Sequence, residues 1–194
     1  GEGALGKTAL ALKVAYDILD ADDRPFEAIV WSSSKSRMLT PQEIVKVEGE
    51  ISTSLGLLES VAEKLAGTKA TDPLDEVLTY MREFKILLVL DNLETVMDDR
   101  LIDFLKRLEG KESKILITSR IGFGSFEYPY KLTPMDESEA VYLLRALARS
   151  RNLGSLAKAG NQQLAAYCKR MRNSPAFIKW FVSAVQVGGR PEQV

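Results

Sequence analysis

Short apolar runs alternate with longer amphipathic stretches through residues 1–132, the pattern of a parallel sheet covered by helices. From Lys7 to about Asp20 the apolar residues Leu10, Val14 and Ile18 recur at helical spacing and predict a helix. Phe26 to Trp31 (FEAIVW) predicts a strand closed by the polar turn Ser32-Ser33-Ser34. Glu43 to about Ala66 has a helical pattern broken near Gly56, and Asp72-Pro73 supplies an N-cap and a first-turn proline for a helix through Leu78 to Phe84. Lys85 to Leu90 (KILLVL) is apolar on both faces, as a central parallel strand requires. A helix over about Asp99 to Leu108, a buried strand over Lys114 to Thr118 (KILIT) and a short fourth strand over Tyr128 to Leu132 complete this region. From Asp136 the strand pattern stops. Asp136-Glu137-Ser138-Glu139 has the form of a capping box opening a helix to about Ser150, Asn161 starts a second helix, and Ser174-Pro175 starts a third that runs to about Val187, before Gly188-Gly189.

Charge divides at the same place. Residues 1–130 hold 16 basic and 23 acidic side chains, a balance of −7, and residues 131–194 hold 10 and 4, a balance of +6, within a net of 26 − 27 = −1. The composition, 45% apolar and 27% charged over 194 residues, excludes disordered, collagen-like and disulfide-stapled classes. The absence of histidine removes every Ser-His, Cys-His and His-zinc mechanism, and a single cysteine removes internal disulfides and thiolate metal cages. No apolar run approaches the ~18 residues of a membrane span. A soluble, cytoplasmic protein with no membrane partner is expected.

Gly1-Glu2-Gly3-Ala4-Leu5-Gly6-Lys7-Thr8 fits G-x-x-x-x-G-K-[ST] at every fixed position and leads directly into a helix. Glycines let successive backbone N–H groups turn toward one anion, and the helix presents its N-terminus to the same phosphates. In this arrangement Gly1, Gly3, Ala4, Leu5, Gly6 and Ala9 line the nucleotide, Lys7 neutralises the β and γ phosphates, and Thr8 places its hydroxyl on Mg²⁺. A chance helix cap would need neither Lys nor Thr at these offsets. The strand that should precede Gly1 is not in the sequence, which reads as an excerpt.

KILLVL ends in Asp91, a carboxylate at the edge of a parallel sheet where ligands bind; it suits Mg²⁺, although an Asp there can also simply cap a turn. The following residue is Asn92, with Glu94 two positions on, and an amide cannot accept a proton, so slow hydrolysis is expected. KILIT ends in Ser119-Arg120, where a guanidinium can fork onto a γ-phosphate, the plain alternative being an exposed loop arginine. Together these features indicate an ATP-type P-loop protein. The N-K-x-D element of a guanine site and the Arg-rich lid of a nucleotide kinase are not evident.

Read in order, GEGALGKTALA, IVWSSS, KILLVLDNLE, SKILITSR and NSPAFIKWFV resemble the NB-ARC class of STAND ATPases, which includes plant disease-resistance receptors, apoptosome scaffolds and bacterial regulators and defence proteins. The resemblance implies an α/β fold, with a parallel-sheet P-loop NTPase core over 1–132, a small all-helical domain over 133–188, and 189–194 opening a linker to a winged-helix module outside the excerpt. It implies a signal-transducing switch that holds ADP when closed, exchanges it for ATP, and forms homo-oligomers that activate a covalently attached effector in response to a sensor region. Innate immunity or antiviral defence is the setting the family suggests. Lys7, Asp91 and Arg120 become the catalytic residues, Thr8 and Asp91 the metal ligands, and Arg120 the phosphate sensor. Pro175 corresponds to the proline of a G-x-P motif that packs near the nucleotide; the triplet here is Asn173-Ser174-Pro175, without the family's glycine.

Cys168 shares helical spacing with Leu164 and Met171 and reads as core. Phe177, Trp180, Phe181 and Val185 form an apolar stripe expected to pack within the helical domain. The alternative function is a DNA-associated P-loop ATPase of the origin-recognition or transposition-helper type, with the basic C-terminal part on the duplex. Dispersed Lys and Arg on helices are ordinarily solvated, so nucleic acid is not the expected partner. A third reading is a degenerate module that holds ADP structurally.

Overall fold

The computed structural model describes residues 5–34, 37–39, 44–46, 51, 53–69, 71–108, 112–122, 124 and 127–193. The described residues group into two compact units, one holding residues within 7–38 and 44–130, the other holding 5–6, Leu39 and 131–193. The first is mixed α/β and contains a parallel sheet, three-stranded among the described residues, in the order β1 (Ala28–Ser33), β4 (Ile86–Asp91), β5 (Lys114–Ile117). Two short strands, β2 (Arg37–Leu39) and β3 (Ile44–Lys46), pair separately with each other.

All six residues of β4 are buried, and the period-two geometry of a strand sends the five apolar ones into two different clusters. Ile86, Leu88 and Leu90 enter a core with Val30, with Leu57, Leu58 and Val61 of α2 (Ser54–Ala66), with Val77 and Leu78 of α3 (Pro73–Glu83), and with Leu101 and Phe104 of α4 (Asp99–Arg107). Leu87 and Val89 meet Ala11 of α1 (Lys7–Asp20), with Ile18, Ile29, Trp31 and Leu116 packed around them. The sheet is therefore covered on both faces. At 1.5–3 kcal/mol for each large aliphatic side chain removed from water, β4 is the axis of the unit.

Local chemistry sets the element ends. The Asp72 carboxylate accepts from Asp75 N at 3.3 Å with Pro73 at the first helical position, and Gly67 closes α2 in the left-handed region (φ 74), its N–H donating to Glu63 O at 2.8 Å. Burial pushes the Asp98 carboxyl up, but hydrogen bonds from the Ser54 hydroxyl and the Leu101 amide outweigh it and hold the group below its ordinary value.

Several expectations change. The stretch 43–66 is not one interrupted helix: Ile44–Lys46 is a strand, as a β-branched pair favours, and α2 begins at Ser54. Gly56 does not break that helix, because it lies in the first turn, where its N–H donates to the N-cap hydroxyl of Thr53 at 3.1 Å. The described residues 127–136 contain no strand; Tyr128 and Tyr130 are fully exposed, and Pro129 and Pro134 have no N–H to offer a ladder. In α1 the sheet-facing positions are Ala11, Ala15 and Ile18, and Leu10 is exposed. The first strand begins at Ala28 rather than Phe26 and takes in Ser32 and Ser33, which were expected in the turn.

The second unit contains α5 (Glu137–Ser150), α6 (Gly154–Lys158), α7 (Asn161–Arg170) and α8 (Pro175–Gln186) around one apolar cluster that includes Leu144, Leu156, Leu164, Cys168, Ile178 and Phe181. The Asp136 carboxylate accepts from Glu139 N at 2.7 Å while Glu139 accepts from Asp136 N at 3.1 Å, a reciprocal capping box. The five-residue α6 carries too little periodicity to be read from sequence. Cys168 is fully buried, and burial followed by the charge of Glu137 pushes its thiol up to about 11. Of the expected stripe on α8, Phe181 is buried and Val185 partly so, whereas Phe177 and Trp180 are exposed. Residues beyond α8 fold back on α7, with Tyr167 Oη donating to Glu192 Oε1 at 3.3 Å. No described helix is long and apolar enough to cross a membrane.

Candidate functional site

The candidate site lies at the C-terminal ends of the three parallel strands. Their register places Ser33 of β1 level with Asp91 of β4, and Ile117 of β5 level with Leu90, so Thr118 follows beside Asp91. Asp91 is 2% exposed. Its Oδ1 accepts from Thr8 Oγ1 at 2.7 Å and from Thr118 Oγ1 at 2.6 Å, and its Oδ2 accepts from Ser33 Oγ at 3.0 Å. A buried carboxylate is costly unless its lone pairs are satisfied, and here three hydroxyls on three different elements supply donors.

Thr8 is the second residue of α1, directly after Lys7, so the helix N-terminus itself delivers the hydroxyl to Asp91. Thr8 and Asp91 are 83 positions apart and belong to separate sequence motifs, yet they are in direct contact. Lys7 is partly buried at the start of the helix, and Ala9 is exposed one turn position further on. Gly6 has φ +89, a conformation that favours glycine, and belongs to the second unit, where an added Cβ would lie 3.8 Å from Cγ of Pro175. Leu5 is partly buried; Gly1, Gly3 and Ala4 lie outside the described residues.

After Asp91 the chain turns sharply. Asn92 adopts the left-handed region (φ 64, ψ 41), and its N–H donates to Thr118 Oγ1 at 3.0 Å. The following turn carries Glu94, whose Oε2 accepts from Arg120 N at 3.2 Å and whose Oε1 lies 3.2 Å from Arg120 Nε. The Glu94 side chain is 14% exposed and that of Arg120 63% exposed. The turn that bears Arg120 is thus clamped to the turn after β4. Ser34 extends the network by donating to Asn92 O at 2.5 Å and accepting from Thr95 Oγ1 at 2.7 Å.

Pro175 sits at the first turn of α8, with Asn173 preceding it at φ 50. Asparagine is among the few residues that tolerate this region, so it can occupy a position suited to glycine.

The oxygen-only donor pair of Thr8 and Asp91 suits a small hard cation. Mg²⁺ keeps several waters and takes one or two carboxylates together with substrate phosphates, so a large acidic cluster is not required. Among the described residues no group of three or more His, Cys, Asp or Glu could hold a metal. Ser33, Thr118 and Glu94 had no role assigned from sequence. Their signal was positional: two hydroxyl residues ending the strands that flank KILLVLD, and one acid beyond it. In comparisons with known proteins, no family model and no curated protein matches the chain.

Proposed function

We infer that the chain is an ATP/ADP-binding molecular switch of the NB-ARC type of STAND ATPases, a P-loop core followed by a helical domain, in which nucleotide exchange and slow hydrolysis control homo-oligomerisation and an attached effector. One observation carries the reading most: the phosphate-loop threonine and the strand-end aspartate meet at 2.7 Å at the edge of a parallel sheet, where ligands of such sheets bind. In this reading Lys7 takes the β and γ phosphates, and Thr8 and Asp91 would hold Mg²⁺. Mg²⁺, when bound, would neutralise phosphate charge. The chain's own contribution to hydrolysis is weak. The Asn92 carboxamide cannot accept a proton, and Glu94, the nearest following acid, is engaged by Arg120. Such a site favours a long-lived bound state over rapid turnover. The left-handed backbone of Asn173 ahead of Pro175 supports the resemblance to the G-x-P motif, since asparagine can replace glycine there. A cytoplasmic setting in immunity or antiviral defence belongs to this reading.

Calorimetry provides the test. Wild type is expected to bind ATP and ADP, and Lys7→Ala to bind neither measurably; unchanged affinity in the variant removes the assignment of the loop.

A further inference from the structure

We propose that Thr118 is a positioning residue for the metal side of this site, acting through Asp91 and Asn92. The inference rests on the reading of Thr8 and Asp91 as Mg²⁺ ligands. A hydroxyl has one proton and two lone pairs. Thr118 gives its proton to Asp91 Oδ1 at 2.6 Å and accepts the Asn92 N–H at 3.0 Å, so one side chain fixes both the carboxylate and the backbone turn that follows it. Its own backbone is held on both sides, its N–H donating to Leu90 O at 3.0 Å and its carbonyl accepting from Leu93 N at 3.0 Å. Thr118 is 7% exposed and β-branched, which makes its first side-chain torsion stiff.

The oxygen it orients is the one that also accepts from Thr8. A carboxylate's last torsion is broad, so with the Thr118 donor gone the orientation of Asp91 rests on fewer contacts, those from Thr8 and Ser33 among them. Asn92 occupies a left-handed conformation that a non-glycine residue keeps only when its surroundings hold it, and the Thr118 oxygen is one of those holds. Losing the hydroxyl therefore loosens a ligand and leaves a partly buried N–H without this acceptor. Mg²⁺ demands near-ideal octahedral geometry and tolerates a misaligned ligand poorly. Nucleotide without metal relies on the loop and Lys7 and is indifferent to that orientation.

The test titrates a fluorescent ATP analogue into the full chain with excess Mg²⁺ and again with EDTA, and reads the ratio of the two affinities. Wild type is expected to bind more tightly with Mg²⁺. Thr118→Val, which keeps the shape and removes the hydroxyl, should lose ~10-fold or more of that gain, the usual effect of removing a group that orients a metal ligand, with its EDTA affinity close to wild type. Thr118→Ser should retain the gain. A full Mg²⁺ gain in Thr118→Val, or a loss of it in Thr118→Ser, overturns the proposal, as does an equal loss with and without metal, which marks a merely structural role. Should Thr118→Val fail to fold, amide exchange in wild type decides: Mg²⁺-nucleotide should slow exchange at Asn92, and an unchanged amide overturns the proposal. If wild type binds no nucleotide at all, the reading of the site falls and this inference with it. If wild type binds and the variants match it, only the role of Thr118 falls.

Discussion

Arg120 and Glu94 form an ion pair whose arginine is exposed and whose acid is largely covered. Their side chains meet at 3.2 Å, the arginine 63% exposed and the glutamate 14%. A γ-phosphate offers several oxygens and more charge, and a guanidinium forks onto it with stronger, charge-assisted bonds. In the proposed role Arg120 would turn toward that phosphate, while the Glu94 carboxylate still accepts from the Arg120 backbone N–H and keeps the turn in place. Arg120→Ala should weaken ATP by ~10-fold or more, the size of one lost charged hydrogen bond, and ADP much less. Equal losses by calorimetry would refute the sensing role. Arg120, Asp91, Lys7 and Thr8 were accessible to sequence reasoning because each is defined by its own motif or strand end. Glu94, Ser33 and Thr118 were not, since their roles come from which strand lies beside which, and register is a property of the folded sheet.

Helix α5 illustrates an element whose start is written almost entirely in local chemistry. The Asp136 carboxyl is held below its ordinary value by the Glu139 amide first and the Ser138 hydroxyl second. A carboxyl whose folded value is depressed contributes stability that is present above its unfolded value, near 4, and is lost as pH falls through the lower folded value. Asp136→Ala should lower the melting temperature by a few degrees near neutral pH and flatten this acid-side loss, as measured by circular dichroism from neutral pH to about pH 3. An unchanged acid profile would show that the box does not stabilise the folded chain. The elements read correctly from sequence share this local character: α3 has Asp72-Pro73, α5 its capping box, and β4 a run apolar on both faces. Where the reading failed, the deciding term was not local. Apolar residues at 43–66 satisfy a helical period, but strand pairing claims Ile44–Lys46, and Thr53 sets the helix start. Tyr128 to Leu132 has strand-forming residues, yet Pro129 offers no ladder donor and the two tyrosines are exposed.

The strand that organises the first unit also ends in Asp91, so a ligand held there as proposed would be linked to stability. Leu88 is 1% exposed in the middle of β4, three residues before Asp91. Leu88→Ala should destabilise the unit by ~3 kcal/mol or more, the range for a buried leucine truncated in a core that collapses only partly. A ligand that binds only the folded state stabilises by an amount set by its concentration relative to Kd, about 2.7 kcal/mol at 100 times Kd. Mg²⁺-ATP at that level should therefore offset most of the Leu88→Ala loss in urea unfolding. The increment should be equal in wild type and Leu88→Ala, because the substitution acts through packing on one face of β4 and leaves the hydroxyl contacts of Asp91 in place. Lys7→Ala should show no increment, since it keeps the core and loses the phosphate contact. An increment in Lys7→Ala as large as in wild type would detach the stabilisation from the phosphate loop. No increment in wild type would mean that the strand end, however well its carboxylate is satisfied, does not hold nucleotide.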